Sequence, residues 1–242
     1  MAFLPENIFI YDVLDSTNEW LKTHADTLKD KSLCLAMQQT AGRGRSGNQW
    51  VSKTGNYYGS FFLRPVNMTL KQAGLLSFVA SLALYDVLKD MLDGKAEIGL
   101  KWPNDVFVSG KKISGILLES ETVANGTIDY VIVGMGVNLS HAPNIDTATC
   151  LRDYITPPNP EDFMRLLSTA FEKRYDDFCA HGFEPIRQTW LDNALFQGEK
   201  IRVRLPHETF YGVFEDLDDN GHLHVRMDDG TLKRVASGDV FF

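Results

Sequence analysis

Apolar residues before Asn193 recur with both helical and strand periods. Helical spacing begins near Thr17, inside the capping-box sequence Ser16 to Glu19. It recurs over 71–92 and, behind the N-cap residue Asn159, over 160–181. Short apolar runs predict five strands, at 33–37, 57–63, 97–102, 112–119 and 128–137. We therefore expect a domain that combines helices with a sheet.

The pattern changes after Asn193, where apolar and polar residues alternate and turn sequences separate the runs. Four strands are predicted here, at 200–205, 210–217, 222–227 and 232–236. A β domain of about 45 residues has little core of its own, so we expect it to lean on its neighbour. The sequence thus predicts a catalytic or binding domain over 1–194 and a small β domain over 195–242.

The overall charge excludes some function classes. The 242 residues include 24 Lys and Arg against 32 Asp and Glu, a net charge of −8, which disfavours a generic nucleic-acid binder. The longest nearly apolar run, 74–84, is too short to cross a bilayer, and the first 15 residues lack a signal-peptide pattern. We expect a cytoplasmic protein without membrane contact. The three cysteines are widely spaced and suggest neither a disulfide framework nor a zinc site.

The charge is unevenly distributed. From Lys31 to Tyr85 the chain has no Asp or Glu but six Lys and Arg residues, which leaves −14 elsewhere. A segment that avoids carboxylates in an acidic protein is expected to approach an anion. The alternative is chance combined with a buried core.

Within that segment, residues 42–47 match the pattern G-x-G-x-x-G. A dinucleotide-binding loop would open a helix and precede an acid by about twenty residues. Here 48–59 is not helical and no acid occurs before Asp86. Glycines that admit a ligand to the backbone, alternating with Arg43 and Arg45, suit a carboxylate or a phosphate. The alternative is a glycine-rich surface turn with solvated arginines.

Three further segments carry polar groups at strand ends. In residues 101–105, Lys-Trp-Pro-Asn-Asp, the Asn104 amide can bind a base and the Asp105 carboxylate can bind a ribose, an amine or a metal. The alternative is a plain turn. Lys112 can reach a phosphoryl or carboxyl group, or serve as a gatekeeping charge. The small residues of 134–138 allow close approach of a flat ligand, or a bulge. His222 and His224 share a strand face without a third metal ligand.

In this order and spacing the segments resemble the biotin protein ligase family, most specifically through Gly-Arg-Gly-Arg and Lys-Trp-Pro-Asn-Asp. The segments are Ser16-Thr17-Asn18, 39–45, Trp50, 101–105, 112–119 and 134–138. The tail 198–240 resembles the SH3-like C-terminal domain of that family. The resemblance implies an α+β fold: a mixed β-sheet packed with helices, similar to class II aminoacyl-tRNA synthetases and biotin synthetases, followed by a small SH3-like β-barrel.

The resemblance also implies a reaction in two steps. The biotin carboxylate attacks the α-phosphate of Mg-ATP to give biotinyl-5′-AMP and pyrophosphate, and a lysine of a biotin carboxyl carrier protein then displaces AMP. ATP, biotin and Mg²⁺ are the implied small molecules, with no resident metal, and the ligase itself is expected to be a monomer or homodimer. Only 15 residues precede Ser16, too few for the DNA-binding domain of some members, so we expect a ligase without repressor function or DNA binding.

Roles of individual residues follow from the same resemblance. The implied catalytic residues are Arg45 and Lys112. The implied biotin-binding residues are Ser16, Thr17, Asn18, Gln39, Gly42, Arg43, Gly44, Arg45, Lys112, Gly115 and Gly134. The implied nucleotide-binding residues are Arg43, Arg45, Trp50, Lys101, Asn104, Asp105 and Asn138.

The chain departs from the family pattern at Asn48, where members commonly have a basic residue, and this leaves the ordering of the loop open. Three alternatives stand beside the ligase. A lipoate or octanoate ligase or transferase shares the fold family but is not expected to combine the two specific motifs. A nicotinamide oxidoreductase is disfavoured because neither the helix nor the acidic residue of a dinucleotide-binding loop follows 42–47. A nucleic-acid binder is disfavoured by the net charge of −14 outside the segment Lys31 to Tyr85.

Overall fold

The computed structural model describes residues 7–123 and 127–241. Its larger part is built on a seven-stranded sheet in the order β1-β2-β3-β7-β6-β5-β4. The strands are β1 (Ile8–Leu14), β2 (Ser32–Gln39), β3 (Tyr57–Leu63), β4 (Ile98–Lys101), β5 (Asp105–Val108), β6 (Lys111–Thr122) and β7 (Ile128–Val137). Only the edge pair β1–β2 is parallel, and the remaining pairs are antiparallel.

Helices cover both faces of this sheet. They are α1 (Thr17–Thr23), α2 (Leu70–Leu92), α3 (Pro160–His181) and α4 (Glu184–Leu191). Strand alternation sends neighbouring side chains to opposite faces, so Phe61 stacks on Phe171 of α3 at 4.4 Å while Phe62 packs with Leu21 of α1. α2 is buried along most of its length. In residues 7–123 and 127–241, no helix is long and apolar enough to cross a membrane.

The C-terminal residues form a second, antiparallel sheet in the order β11-β10-β9-β8-β12. Its strands are β8 (Lys200–Arg204), β9 (Thr209–Leu217), β10 (Leu223–Arg226), β11 (Leu232–Val235) and β12 (Asp239–Phe241). The indole N–H of Trp102 donates to the carbonyl of Gly221 at 2.9 Å. Gly221 has φ +72° and lies so close to Phe78 that a side chain would not fit. The turn between β9 and β10 of the small sheet thus packs against α2 and the turn between β4 and β5.

The predicted fold class is confirmed, and each predicted helix and strand is present within a few residues. Four elements were missed: the edge strands β1 and β12, the four-residue strand β5 and the eight-residue helix α4. Their brevity, or in β1 the weak alternation of a half-exposed edge, leaves too little periodicity to detect. The domain boundary between residues 194 and 195 stays a prediction.

The three cysteines are free thiols in different environments. Cys34 and Cys150 are buried, whereas Cys179 on α3 is exposed. Burial raises the pKa of Cys34 to about 12 and also raises the pKa of Cys150 and of Cys179, so exposure is what distinguishes Cys179.

We therefore expect a small disulfide reagent at pH 8 to modify one thiol per native chain, that of Cys179. A spectrophotometric thiol count checks this, because reactivity requires an accessible thiolate. The Cys179→Ser variant should react with none, and all three thiols should react in denaturant. Two reactive thiols in the native protein would contradict the burial of Cys34 and Cys150.

Candidate active site

A cavity of about 310 Å³ opens on the α1 face of the large sheet. Its walls are the start of α1, the segment 43–51, the strands β5 to β7 and the segment 143–148. All but two of the predicted site residues line it: Ser16, Thr17, Asn18, Gln39, Arg43, Gly44, Arg45, Trp50, Asn104, Asp105, Lys112, Gly115, Gly134 and Asn138. Gly42 and Lys101 lie outside the lining.

Glycines on the central strands make the floor of the cavity. Gly115 of β6 pairs with Gly136 of β7, and the Trp50 indole lies across both. A Cβ on Gly115 would come within 3.1 Å of that ring, and a Cβ on Gly136 would overlap it. Gly134 makes similar room for Asn18. The missing side chains at these three positions are therefore what allows Trp50 and Asn18 to lie against the sheet.

The Gly-Arg segment folds as a small hairpin over the floor. Gly44 donates to the carbonyl of Asn48 at 2.7 Å, and Trp50 donates to the carbonyl of Gly42 at 2.9 Å. Between these bonds, Ser46 and Gly47 have positive φ angles of 54° and 76°. Residue 42 must be glycine for the two sides of the hairpin to approach this closely, because a Cβ there would lie 2.5 Å from the carbonyl oxygen of Trp50. The G-x-G-x-x-G match is thus not a strand-to-helix dinucleotide loop.

Three cationic side chains reach the cavity. Lys112 Nζ lies 2.7 Å from an oxygen of Asp105 and 5.6 Å from the centre of the Trp50 ring. Arg45 donates to the Asn104 amide oxygen at 2.9 Å, and Arg43 lies against Glu119 at 2.9 Å. Each cation is held by a partner that fixes its direction. Within 7–123 and 127–241, the lining contains three cations against two carboxylates, those of Asp105 and Asp239.

The wall beside α1 is polar and internally hydrogen-bonded. Ser60 Oγ lies 2.7 Å from the Thr17 hydroxyl and donates to the Asn18 amide oxygen at 2.6 Å. The backbone N–H of Thr17 donates to Gln39 at 2.9 Å, and the Gln39 amide donates to Ser52. Ser60 was missed because it belongs to no motif; the pairing of β3 with β7, which sets it opposite Gly134, brings it here.

The Lys-Trp-Pro-Asn-Asp motif divides its residues between two tasks. Asn104 and Asp105 line the cavity, while Trp102 is buried and hydrogen-bonds to Gly221 of the C-terminal domain. The Lys101 ammonium lies over the rings of Phe107 and Phe241, at 5.3 and 5.6 Å. Burial and the charge of Lys112 lower the pKa of Lys101, although nearby Asp105 and Asp239 raise it.

Two wall segments were not predicted to belong to the site. The segment 143–148 is drawn over the cavity by backbone pairing: Lys112 donates to the carbonyl of Thr147 at 2.8 Å, and Thr149 donates to the carbonyl of Lys112 at 3.0 Å. Asn138 donates to the carbonyl of Thr149 at 3.1 Å. The second segment is the C-terminal one, where Ser237 accepts from Arg45 and Asp239 joins the lining.

The segment from Lys31 to Tyr85, which has no Asp or Glu, places only part of its positive charge at the cavity. Arg43 and Arg45 line it, but Lys31 is buried beside Glu172 of α3 at 2.9 Å. Arg64 pairs with Asp129 at 2.7 Å. The expectation that the whole segment approaches an anion is thus too broad, because its ends neutralise carboxylates that other elements supply.

Within the described residues, no group of three His, Cys, Asp or Glu side chains converges on a point that could hold a metal ion. His222 instead contacts Asp218 of the preceding turn at 2.9 Å. Hydrogen bonds from the backbone and ring of His222 outweigh the effect of burial and lower the pKa of Asp218 to about 2.

Comparison with known proteins agrees with this geometry. A model described as the biotin/lipoate A/B protein ligase family matches residues 10–138, and one described as the biotin protein ligase C-terminal domain matches 196–242. The chain belongs to the biotin/lipoate A/B protein ligase family. This confirms the resemblance found in the motifs.

Two kinds of relative extend the match. The Paracoccus denitrificans protein named biotin–[acetyl-CoA-carboxylase] ligase is 40% identical over 239 residues, which cover 94% of this chain and 97% of that one. The biotin protein ligase of Aquifex aeolicus, solved with biotin and ATP, superposes with a TM-score of 0.83 at 27% identity, over 98% of each chain. The Leishmania major enzyme with biotinyl-5-AMP gives 0.68 at 26% identity, over 97% of this chain and 100% of that one.

Proposed function

We propose that this family member is a biotin protein ligase that forms biotinyl-5′-AMP from biotin and ATP and transfers biotin to a lysine of a carrier protein. The observation that carries the proposal is one cavity in which three cations meet a hydrogen-bonding wall above a glycine floor. The ligands of the relatives named above are biotin, ATP and biotinyl-5-AMP. The shape and chemistry of this cavity suit the same molecules.

The first step joins two anions. An oxygen of the biotin carboxylate forms a bond to the α-phosphorus of ATP, and the bond to pyrophosphate breaks. Lys112 and Arg45 act by lowering the repulsion between carboxylate and phosphate and by stabilising charge on the α-phosphate oxygens. Asp105 keeps the Lys112 ammonium at a fixed place, and Asn104 does so for Arg45. The enzyme supplies no nucleophile of its own.

The second step replaces AMP by an amine. The lysine nitrogen of the carrier attacks the acyl carbon, AMP leaves with the bonding electrons, and the amine gives up a proton. Asp105 is the carboxylate on the cavity wall nearest Lys112 and is our candidate to receive that proton. Shielding of the mixed anhydride from water falls to the Gly-Arg hairpin and the segment 143–148, which form two sides of the cavity.

Magnesium is expected to arrive with the nucleotide. Among the residues that the structure describes, Asp105 and Asp239 are the carboxylates of the cavity lining. Mg²⁺ commonly keeps waters and binds through one or two carboxylates plus substrate phosphates, which suits such a sparse site. The ion would neutralise the charge on the phosphates that Arg43, Arg45 and Lys112 leave uncovered.

The lipoate or octanoate alternative fits the polar wall less well. The side chains of Thr17 and Asn18 line the cavity and offer hydrogen-bonding groups to it, with the buried Ser60 behind them. The ureido ring of biotin has donors and an acceptor to pair with them, whereas an octanoyl chain has neither. Polar groups opposite an aliphatic chain lose hydrogen bonds to water without replacement, which costs about 1–3 kcal/mol each.

The test is the exchange of labelled pyrophosphate into ATP, followed by mass spectrometry of a biotin carboxyl carrier domain. We expect exchange that requires biotin and a mass increase on one carrier lysine. Lipoate and octanoate are the matched controls. Exchange with either of these but not with biotin would overturn the proposal.

The paired arginines lead to a narrower prediction. Arg45→Ala removes the side chain that links the hairpin to Asn104 and Ser237, so adenylate formation should slow about tenfold and the adenylate should escape. Pre-steady-state pyrophosphate release and adenylate retention on a desalting column measure the two effects. Lys53→Ala, which removes an exposed charge outside the cavity lining, is the control. Normal formation and retention in Arg45→Ala would show that Arg45 has another role.

A further inference from the structure

Glu119 of β6 lies behind the polar wall and outside the cavity lining. One of its oxygens, Oε2, accepts from the Asn18 amide at 2.8 Å and from the Arg43 guanidinium at 2.9 Å. About a quarter of the Glu119 side chain is exposed. A single carboxylate oxygen therefore joins a residue of the wall to a residue of the Gly-Arg hairpin.

The hydrogen bonds of the wall run in one direction towards this carboxylate. An ionised carboxylate only accepts, so the Asn18 NH₂ group must face Glu119 and the Asn18 oxygen must face away from it. That oxygen receives the Ser60 hydroxyl proton at 2.6 Å. Since Ser60 has given its proton to Asn18, the Thr17 hydroxyl donates to Ser60 at 2.7 Å, with the Gln39 amide oxygen as a more distant second acceptor at 3.3 Å. The charge of Glu119 thus sets which atoms of the wall donate and which accept.

Little else holds the Asn18 amide in this orientation. The other contact of its nitrogen is the carbonyl of Leu117, at 3.5 Å. A hydroxyl can reverse its donor, so Ser60 by itself would accommodate either orientation of the amide. The Asn18 side chain is also enclosed by the backbone of Gly134, which fixes its place but not its direction.

We propose that Glu119 is a positioning residue for recognition of the biotin ureido ring, because it fixes the orientation of the Asn18 amide in the wall. The inference rests on the proposed function. Glu119 touches no substrate in this scheme and acts through Asn18. Its second partner, Arg43, also lies 3.2 Å from Glu19 and so keeps a carboxylate when Glu119 is removed.

The test is the kinetics of biotin-dependent pyrophosphate exchange in Glu119→Ala and Glu119→Gln. Loss of an oriented hydrogen bond to a charged group corresponds to roughly tenfold in binding, so the KM for biotin should rise about tenfold in Glu119→Ala. The kcat at saturating biotin and the KM for ATP should stay within about twofold, as expected when only substrate binding is weakened. Glu119→Gln retains an acceptor oxygen, but its amide can rotate that oxygen away from Asn18. The KM for biotin of Glu119→Gln should therefore lie between those of the unmodified protein and Glu119→Ala.

A double-mutant cycle with Asn18→Ala separates positioning from general stability. If Glu119 acts through Asn18, adding Glu119→Ala to Asn18→Ala should change the KM for biotin less than about twofold. Glu121→Ala, on the exposed end of the same strand, is the control and should leave all constants unchanged. An unchanged KM in Glu119→Ala, or the full tenfold loss in the Asn18→Ala background, would overturn the inference. Absence of biotin-dependent exchange in the unmodified protein would instead overturn the proposed function.

Discussion

Replacing Lys112 by methionine should lower the rate of biotin-dependent pyrophosphate exchange by about 10²–10³-fold. Methionine preserves most of the length and volume of the side chain but removes the charge that lies between Asp105 and the Trp50 ring. The transition state for adenylation gathers negative charge from a carboxylate and a phosphate, and a preorganised cation is worth most at that point. The KM for biotin should change less than kcat, because the charge acts on the reacting groups.

The neighbouring residue supplies a matched control for this experiment. Lys111 is exposed and lies outside the cavity lining, so Lys111→Met should leave the exchange rate within about twofold. Because both variants lose one positive charge from the same strand end, a difference between them reports position and not net charge. If the exchange rate of Lys112→Met is within tenfold of that of the unmodified protein, Lys112 does not have the catalytic role proposed above.

Gly134→Ala should raise the KM for biotin by about 100-fold and destabilise the fold by about 1–3 kcal/mol. The new Cβ would overlap the Asn18 amide oxygen. Asn18 cannot move aside freely, since Ser60 and Glu119 hold the two ends of its amide. The substitution thus either displaces a residue of the polar wall or pushes β7 away from it.

Gly74→Ala is the control for a glycine substitution. Gly74 lies in α2 on an exposed position with open space around it, so alanine should stabilise the fold by about 0.5–1 kcal/mol and leave catalysis unchanged. Biotin saturation curves and urea unfolding midpoints measure both effects in each variant. A normal KM in Gly134→Ala would mean that the wall yields at Asn18 and that its present arrangement does not limit biotin binding.

Much of the candidate site was predictable because its residues sit in short motifs at strand ends. The motif at 101–105 begins at the end of β4, and Lys112 lies at the start of β6. Antiparallel neighbours bring such ends together, so Asp105 and Gly115 become partners across β5 and β6. The roles assigned to these residues stay predictions until the variants are measured.

Lys101 illustrates what local sequence does not determine. It belongs to the most specific motif of the chain, yet its side chain lies outside the cavity lining, over rings from β5 and β12. Phe241 belongs to the small sheet, which also contacts the neighbouring Trp102 through Gly221. The direction of a long side chain depends on such neighbours, which are distant in sequence.

The sequence by itself determined the class of fold, the order of its main elements and the motifs that identify the family, because these follow from periodicity and from local groups of residues. Only the tertiary structure decided that Ser60, Glu119, Asp239 and the segment 143–148 belong around the cavity. Their places depend on strand register and on how the C-terminal residues pack against the rest of the chain. A shift of one residue in the pairing of β3 with β7 would send Ser60 to the opposite face, and no motif records that choice.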